Sequence, residues 1–328
     1  MKILLIVDSQ PVFTGFIPSF EEACKELNAE MTFFIVDGDK SYEAQRIKLK
    51  NIICEENPNK LLCINDFCQN GNFLIDKEIT QLTSCYIWFV DSMHLMKNFD
   101  YTLPFYSGIS SFEPTDTTLS RKYNVPIQYV PVTAGKGLFC MNQTEEEKIY
   151  DVSFVGLVAG SKKRINVLNK IAEYCKLNNK KMICYGHFWH NSHWFQNIIG
   201  AFKFKRKYPI LYSYVINKRI SPKECASLYK RTKINLNIHI PQHSGFNCRT
   251  FEILGNENFE LCDEQDNREI HFKNRKNIVF YHNADEAVRL LDYYLKHPEE
   301  RKHIASEGAK FVNSKYKFVN SLKRVLDL

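Results

Sequence analysis

Gly245, Asn247, Arg249 and Glu252 follow one another closely within residues 233 to 263, KINLNIHIPQHSGFNCRTFEILGNENFELCD. Their types suit an anion. Ser244, Gly245 and Asn247 take turn conformations that aim several backbone N–H groups one way, and Arg249 brings a full positive charge. Arg249, Phe251, Glu252, Ile253 and Leu254 open a helix whose positive dipole end faces the same spot, so a phosphate would sit well there. Glu252 offers a carboxylate that accepts from hydroxyl groups. The competing reading is an ordinary strand–loop–helix unit with Arg249 and Glu252 as an i,i+3 surface pair.

A second cluster is Gly156, Gly160, Lys162, Lys163 and Arg164, at the mouth of another expected helix. Cations there oppose the helix dipole and cost stability unless an anion offsets them, as a nucleotide diphosphate would; a solvated basic patch is the alternative. Tyr185 and Gly186 close the strand expected at 182–186. The carboxyl end of such a strand is where open α/β sheets bind ligands, which adds both to the candidate set.

In the first half, Asp8 and Asp91 each end a strand at that same kind of edge. Asp91 is the candidate for orienting a bound ligand or acting as a general base, against a plain helix-capping role. Phe13 to Gly15, in the first strand-to-helix loop, would flank the same ligand. Asp37 and Asp39 have Asp-x-Asp spacing, but Gly38 between them after an early strand reads as a turn. His187, His190 and His193 recur every three residues without an acidic or cysteine neighbour, so no metal site is expected. Residues 187–215 also hold Trp189, Trp194 and the run Lys203, Lys205, Arg206, Lys207, a surface for peripheral contact with anionic lipid or a lipid-linked acceptor; buried packing with a solvated edge competes.

The elements that must hold these residues alternate. Strands are expected at 2–8, 31–37, 61–64, 72–76, 86–91 and 127–132, with a helix capped by Ser19 and Glu22. A polar stretch from Lys136 to Tyr150, with the run TEEEK at 144–148, reads as a linker. Beyond it come strand 151–157, a helix from about Arg164 to Leu177, strand 182–186, and a helix opened by Ser221, Pro222 and Glu224. Strand 233–240 has Ile234, Leu236, Ile238 and Ile240 on one apolar face and stops at Pro241. Strand 278–281 and helices beginning at Asn283 and Pro298 complete the chain. Such alternation implies parallel sheets flanked by helices in two domains, 1–145 and 146–310, with a C-terminal helix in 311–328 packing back on the first.

The 328 residues suffice for two cores, and 44% hydrophobic content fits a globular chain. No segment has the apolar length to cross a bilayer, and the first apolar run is cut by Asp8, which reads as a core strand rather than a signal peptide. The 11 cysteines are scattered, with no CxxC pair, as expected for free thiols in a reducing cytoplasm. Residues 1–150 hold 13 Lys/Arg against 20 Asp/Glu, and residues 151–328 hold 31 against 17. The anion-binding capacity therefore lies in the second half. Although that half is basic, no nucleic-acid motif accompanies it, and nucleic acid is not an expected partner.

The pattern Gly-x-Asn-x-Arg-x-Phe-Glu at 245–252, the strand ending in Asp263, the Ser153–Gly156 strand followed by Arg164, and the aromatic strand Ile87–Asp91 together resemble the CgeB-like glycosyltransferases. The resemblance implies a GT-B fold, two Rossmann-like domains with parallel sheets facing across a cleft. It also implies transfer of a sugar from a nucleotide-sugar donor to a glycan, lipid-linked or protein acceptor, with no metal or other cofactor and with retention at the anomeric carbon. It places the acceptor on 1–145 and the nucleotide-sugar on 146–310, in an enzyme of cell-surface polysaccharide biosynthesis; the cytoplasmic location, peripheral to the inner membrane face, is expected from the free cysteines and the 187–215 surface. By that resemblance Glu252 matches the second glutamate of an E-x7-E pair and binds the donor ribose. Ser244 stands where the first would be, which leaves an inactive nucleotide-binding or scaffold protein as the alternative.

Overall fold

The computed structural model describes residues 1–69, 72–96, 99–133, 135, 147–190 and 193–328. Most of the linker expected at 136–150 lies outside them. The chain divides into two compact units. One comprises Met1–Gly137 with Gln242–Cys248 and Tyr316–Leu328; the other comprises Leu138–Pro241 and Arg249–Lys315.

In the first unit the strands are β1 (Lys2–Asp8), β2 (Glu30–Val36), β3 (Lys60–Ile64), β4 (Cys68–Gln69), β5 (Asn72–Phe73), β6 (Ser84–Phe89), β7 (Gly108–Ser111) and β8 (Gln128–Tyr129). Its α-helices are α1 (Pro11–Thr14), α2 (Ile17–Glu26), α3 (Tyr42–Glu56), α4 (Lys77–Leu82) and α5 (Leu119–Tyr123). Six strands form a parallel sheet in the order β2-β1-β3-β6-β7-β8. Ile3 to Val7 of β1 are all buried because helices cover both faces, which is why central strands of such sheets read as unbroken apolar runs. Side-chain alternation then sorts the core: Leu4, Ile6, Leu61, Cys63 and Ile87 on one face, Ile3, Leu5, Leu62, Ile64 and Trp88 on the other.

The second unit holds β9 (Tyr150–Val155), β10 (Met182–Tyr185), β11 (Val215–Ile216), β12 (Thr232–Asn237), β13 (Glu260–Asp263) and β14 (Val279–Tyr281). All pair in parallel in the order β11-β10-β9-β12-β13-β14. Its helices are α6 (Lys162–Leu177), α7 (Trp194–Lys207), α8 (Pro209–Tyr212), α9 (Pro222–Lys230), α10 (Cys248–Gly255), α11 (Ala284–Lys296) and α12 (Pro298–Lys315), with Cys248 packing in the first unit. The capping box of Ser221 and Glu224 forms, and Asn283 caps α11 through the amide of Glu286. The last helix, α13 (Phe318–Val325), belongs to the first unit. There Phe318 meets Phe20 edge-on at 4.8 Å and lies 5.8 Å from the Trp88 ring.

Four sequence expectations need correction. Ser19 does not cap a helix: Pro18 starts α2 earlier, and Ser19 is buried inside it, its hydroxyl accepting from the Gly135 amide. Residues 72–76 are not a core strand, because Asn72–Phe73 pairs only with β4 and Asp76 instead caps α4. The strand expected at 233–240 ends at Asn237, and the asparagines of its polar face do not face water. Asn235 and Asn237 are buried and hydrogen-bonded, Asn235 to Ser153 at 2.8 Å and Asn237 to Thr250 and Glu260 at 3.0 and 2.9 Å. Finally, β7 was not anticipated; its sequence GISS carries little apolar signal.

Candidate functional site

In the second unit, β9 and β10 end side by side at two glycines. The Gly156 amide donates to the Tyr185 carbonyl at 3.0 Å. Gly186 has φ +142°, and a Cβ there would meet the Gly156 carbonyl oxygen at 1.8 Å. Any side chain would push the strand ends apart, so the backbone here stays bare. A Cβ on Gly156 would in turn meet the Phe154 ring at 2.9 Å and lie 3.7 Å from the Arg164 guanidinium.

Ser161 caps α6 through the Arg164 amide at 3.4 Å and aims the first turn at this edge. Arg164 donates Nε to the Ile238 carbonyl at 2.7 Å and an Nη1 hydrogen to the Leu157 carbonyl. These are neutral partners, so its charge is held in place without being cancelled. Burial, followed by repulsion from Arg249, brings its pKa down to about 10. Arg249 is therefore near enough to Arg164 for the two charges to repel. Arg249, in the first turn of α10, donates Nε to the Tyr229 hydroxyl at 2.8 Å. Glu252 follows one turn on, partly exposed, and among the described residues none is seen donating to its carboxylate.

Lys163 turns to a different task. It pairs with Asp263, whose other oxygen accepts from the His239 amide at 2.9 Å and lies 2.8 Å from His239 Nδ1. Burial would raise the Asp263 carboxyl, but the bonds from His239 and Lys163 hold it below its ordinary value. Burial lowers the His239 pKa, against the opposing pull of Asp263. His239, Cys262 and Asp263 bring their ligand-type atoms within 4.8 Å of one another, but Lys163 already occupies the carboxylate and burial pushes the Cys262 thiol well up. The cluster reads as an internally satisfied core network. Of the three cations at the mouth of α6, one thus has a carboxylate of its own, contrary to the expectation that the whole cluster waits for an anion.

Gly245 and Asn247 belong to the first unit. Gly245 is buried, and its role there is close approach: a Cβ would sit 2.5 Å from Pro114 Cδ and 3.1 Å from the Phe112 carbonyl. Next to it, Ser244 donates its amide to Glu113 Oε2 at 3.0 Å and its hydroxyl to Oε1, while His243 Nδ1 lies 3.5 Å from Oε2. Burial would raise the Glu113 carboxyl, but hydrogen bonds from His243, Ser244 and Thr115 outweigh it and set the pKa to about 2. A carboxylate thus stands against position 244 after all, supplied from the end of β7. Sequence reasoning missed Glu113 because β7 was not read as a strand; its place directly after a parallel strand was the available signal.

Asp91 lies two residues beyond β6, exposed, accepting from Asn65 Nδ2 at 3.1 Å. Two further carboxylates near that edge were not anticipated. Asp116 is buried and accepts from Ser111 Oγ at 2.6 Å and the Met93 amide at 2.9 Å. Asp66, pushed up to about 6 by burial, accepts from Thr102 Oγ1 at 3.1 Å. Phe13 sits not in an open loop but in the helical turn α1.

Comparison with known proteins follows this division. Residues 167–327 match the model of a family described as Glycosyl transferase-like. The spore protein CgeB of Bacillus subtilis (strain 168) is 27% identical over 108 residues, 29% of this chain and 32% of that protein. The matched stretch thus spans about a third of the relative's length. The structure of HepE from Anabaena in complex with UDP-glucose superposes with TM-score 0.65 at 9% identity, covering 100% of this chain and 98% of that one. An alpha-glucosyltransferase in complex with UDP and a 13-mer DNA gives TM-score 0.71 at 10% identity, covering 100% and 98%. The chain has the GT-B fold and resembles CgeB. In this GT-B chain the arginine edge lies on the unit that the family match largely covers, and the buried carboxylates Asp66, Glu113 and Asp116 lie on the other. Among the described residues no helix is long and apolar enough to cross a membrane.

Proposed function

We propose that this chain is a glycosyltransferase that moves a hexose-type sugar from a nucleotide-sugar donor to a glycan, lipid-linked or protein acceptor. The observation that carries the reading is Arg164 beside the bare Gly156–Gly186 strand ends, bonded to neutral carbonyls and near enough to Arg249 for the two charges to repel. Breaking the bond between the anomeric carbon and the β-phosphate oxygen leaves the electron pair on the diphosphate. Two fixed guanidinium groups and the first turn of α10 neutralise that charge as it develops, and this chemistry needs no metal. Gly156, Tyr185 and Gly186 would line the donor, with Gly245 and Asn247 in the loop that precedes α10; Glu252 would accept from the ribose hydroxyls.

On the acceptor side, Asp91 would orient the attacking hydroxyl or take its proton as the new C–O bond forms. The related families favour retention at the anomeric carbon. A nucleotide-sugar donor is a cytoplasmic metabolite, so the reading carries a cytoplasmic location and a role in surface-polysaccharide synthesis. UDP is the first donor nucleotide to try, since two of the similar structures are complexes with UDP-glucose and with UDP. The replacement of a paired glutamate by Ser244 favours a second reading, a nucleotide-binding scaffold without turnover. Incubation with UDP-, GDP-, dTDP- and CDP-sugars, with and without a chelator, separates the two. Release of the nucleoside diphosphate, undiminished by the chelator, is expected. Tight binding without release would support the scaffold, and neither binding nor release would refute both.

A further inference from the structure

Helix α7 is a surface that neither the donor site nor the fold explains. One side holds it to the second unit: Phe204 is buried against Phe188 and Trp189, with centroids 5.7 and 5.3 Å away, and a Cβ on Gly200 would meet the Trp189 ring at 2.7 Å. On the other side Trp194, Ile198 and Phe202, spaced i, i+4, i+8, form one line, with Phe195 and Ile199 beside it. Trp194, Phe195 and Phe202 are 76%, 59% and 66% exposed. Five large apolar side chains in a continuous exposed stripe are more than a soluble surface ordinarily leaves open, and such a stripe marks an interaction site.

Charge identifies the occupant. Lys203, Lys205, Arg206 and Lys207 fill the last two turns of the same helix, at the end of the stripe. From Tyr174 to Lys223 the sequence has no Asp or Glu and ten Lys and Arg. In a chain that is 25% charged, so long a stretch of one sign calls for an anionic counter-surface. A second copy docking through this helix would bring cations and no carboxylate from the same segment. Aromatic side chains beside a basic turn suit the boundary between lipid headgroups and acyl chains, where Trp rings settle and Lys and Arg reach the phosphates.

We propose that α7 docks this protein flat on an anionic bilayer, with Trp194, Phe195, Ile198 and Phe202 entering the headgroup layer and Lys205 and Arg206 on lipid phosphates. The inference is independent of the glycosyltransferase reading. The test is sedimentation of the full chain with vesicles of phosphatidylcholine alone and with one quarter phosphatidylglycerol, at two salt concentrations. Wild type is expected on the anionic vesicles, with a blue-shifted tryptophan emission. Trp194→Glu with Phe202→Glu should weaken binding at least about tenfold, since each ring buries a large apolar area. Lys205→Glu with Arg206→Glu should weaken it and flatten its salt dependence. These side chains are exposed, so circular dichroism should be unchanged. Equal binding of wild type and both variants overturns the proposal. So does failure of wild type to bind, or loss in the variants of a concentration-dependent dimer with no vesicle binding in wild type.

Discussion

The carboxyl edges of the two parallel sheets carry opposite chemistry on the same architecture. In the second unit two arginines lie near enough to repel, and burial and that repulsion depress the Arg164 pKa to about 10. In the first unit the edge is lined by Asp66, Asp91, Glu113 and Asp116, each accepting hydrogen bonds from neighbouring amides, hydroxyls or side-chain nitrogens. The sheets are alike in strand number and direction, so the difference comes from the residues placed just after each strand. That is the general lesson of doubly wound folds: the sheet sets the location of a site, and loop residues set its sign.

Removing the positive edge should have the largest effect. Arg249→Ala is expected to lower kcat/KM for sugar transfer by about 10²- to 10³-fold, the scale of losing one preorganised charge-stabilising group. Steady-state kinetics would check this, and a change under threefold would break the contrast between the edges.

The next effects are on stability and differ in sign between the units. Glu113 is held at about 2, below the ordinary 4.5, so its contribution is present above pH 4.5 and is lost as pH falls toward 2. Glu113→Gln should cost roughly 3 kcal/mol at neutral pH and flatten the acid limb of a urea-melt series. Glu260 in the second unit does the opposite. Burial raises it to about 7 against the bonds from Asn237 and Thr250, so the folded state binds the extra proton and stability falls as pH rises from 4.5 to 7. Glu260→Gln should remove that decline, again worth roughly 3 kcal/mol at its upper end. If both variants shifted the pH curve in one direction, the contrast would fail. The smallest effect is expected at Asp91, where a single bond from Asn65 and open exposure suit orientation of an acceptor: Asp91→Asn should lower kcat by about tenfold, below the usual scale of a general base.

Much of this was legible in the sequence where the signal is local. The capping box at Ser221–Glu224 and the Asn283 cap depend on residues three apart, and both form as read. The apolar run of β1 and the parallel α/β alternation were equally plain. What was hidden depends on distant partners. Lys233 to Ile240 alternates like a half-exposed strand, yet Asn235 and Asn237 are buried because Ser153, Thr250 and Glu260 satisfy them. Ser19 looked like a cap until Pro18 started the helix earlier. Glu113 was invisible as a site residue because its partners, His243 and Ser244, lie 130 positions away or more. Within the donor set, Gly156 was read at the mouth of a helix and Gly186 at the end of a strand, but the physical need for glycine, a backbone contact between neighbouring strand ends, showed only in three dimensions.

The central claim is that the second unit holds a nucleotide-sugar through Arg249 and Glu252. A thermal-shift screen of UDP-, GDP-, dTDP- and CDP-sugars on wild type, Arg249→Ala and Glu252→Ala tests it most directly. One donor should raise the melting temperature of wild type by several degrees, as expected for ligand at a hundredfold its Kd, and should shift neither variant comparably. No stabilisation of wild type by any donor, or the same shift in all three proteins, would contradict the account.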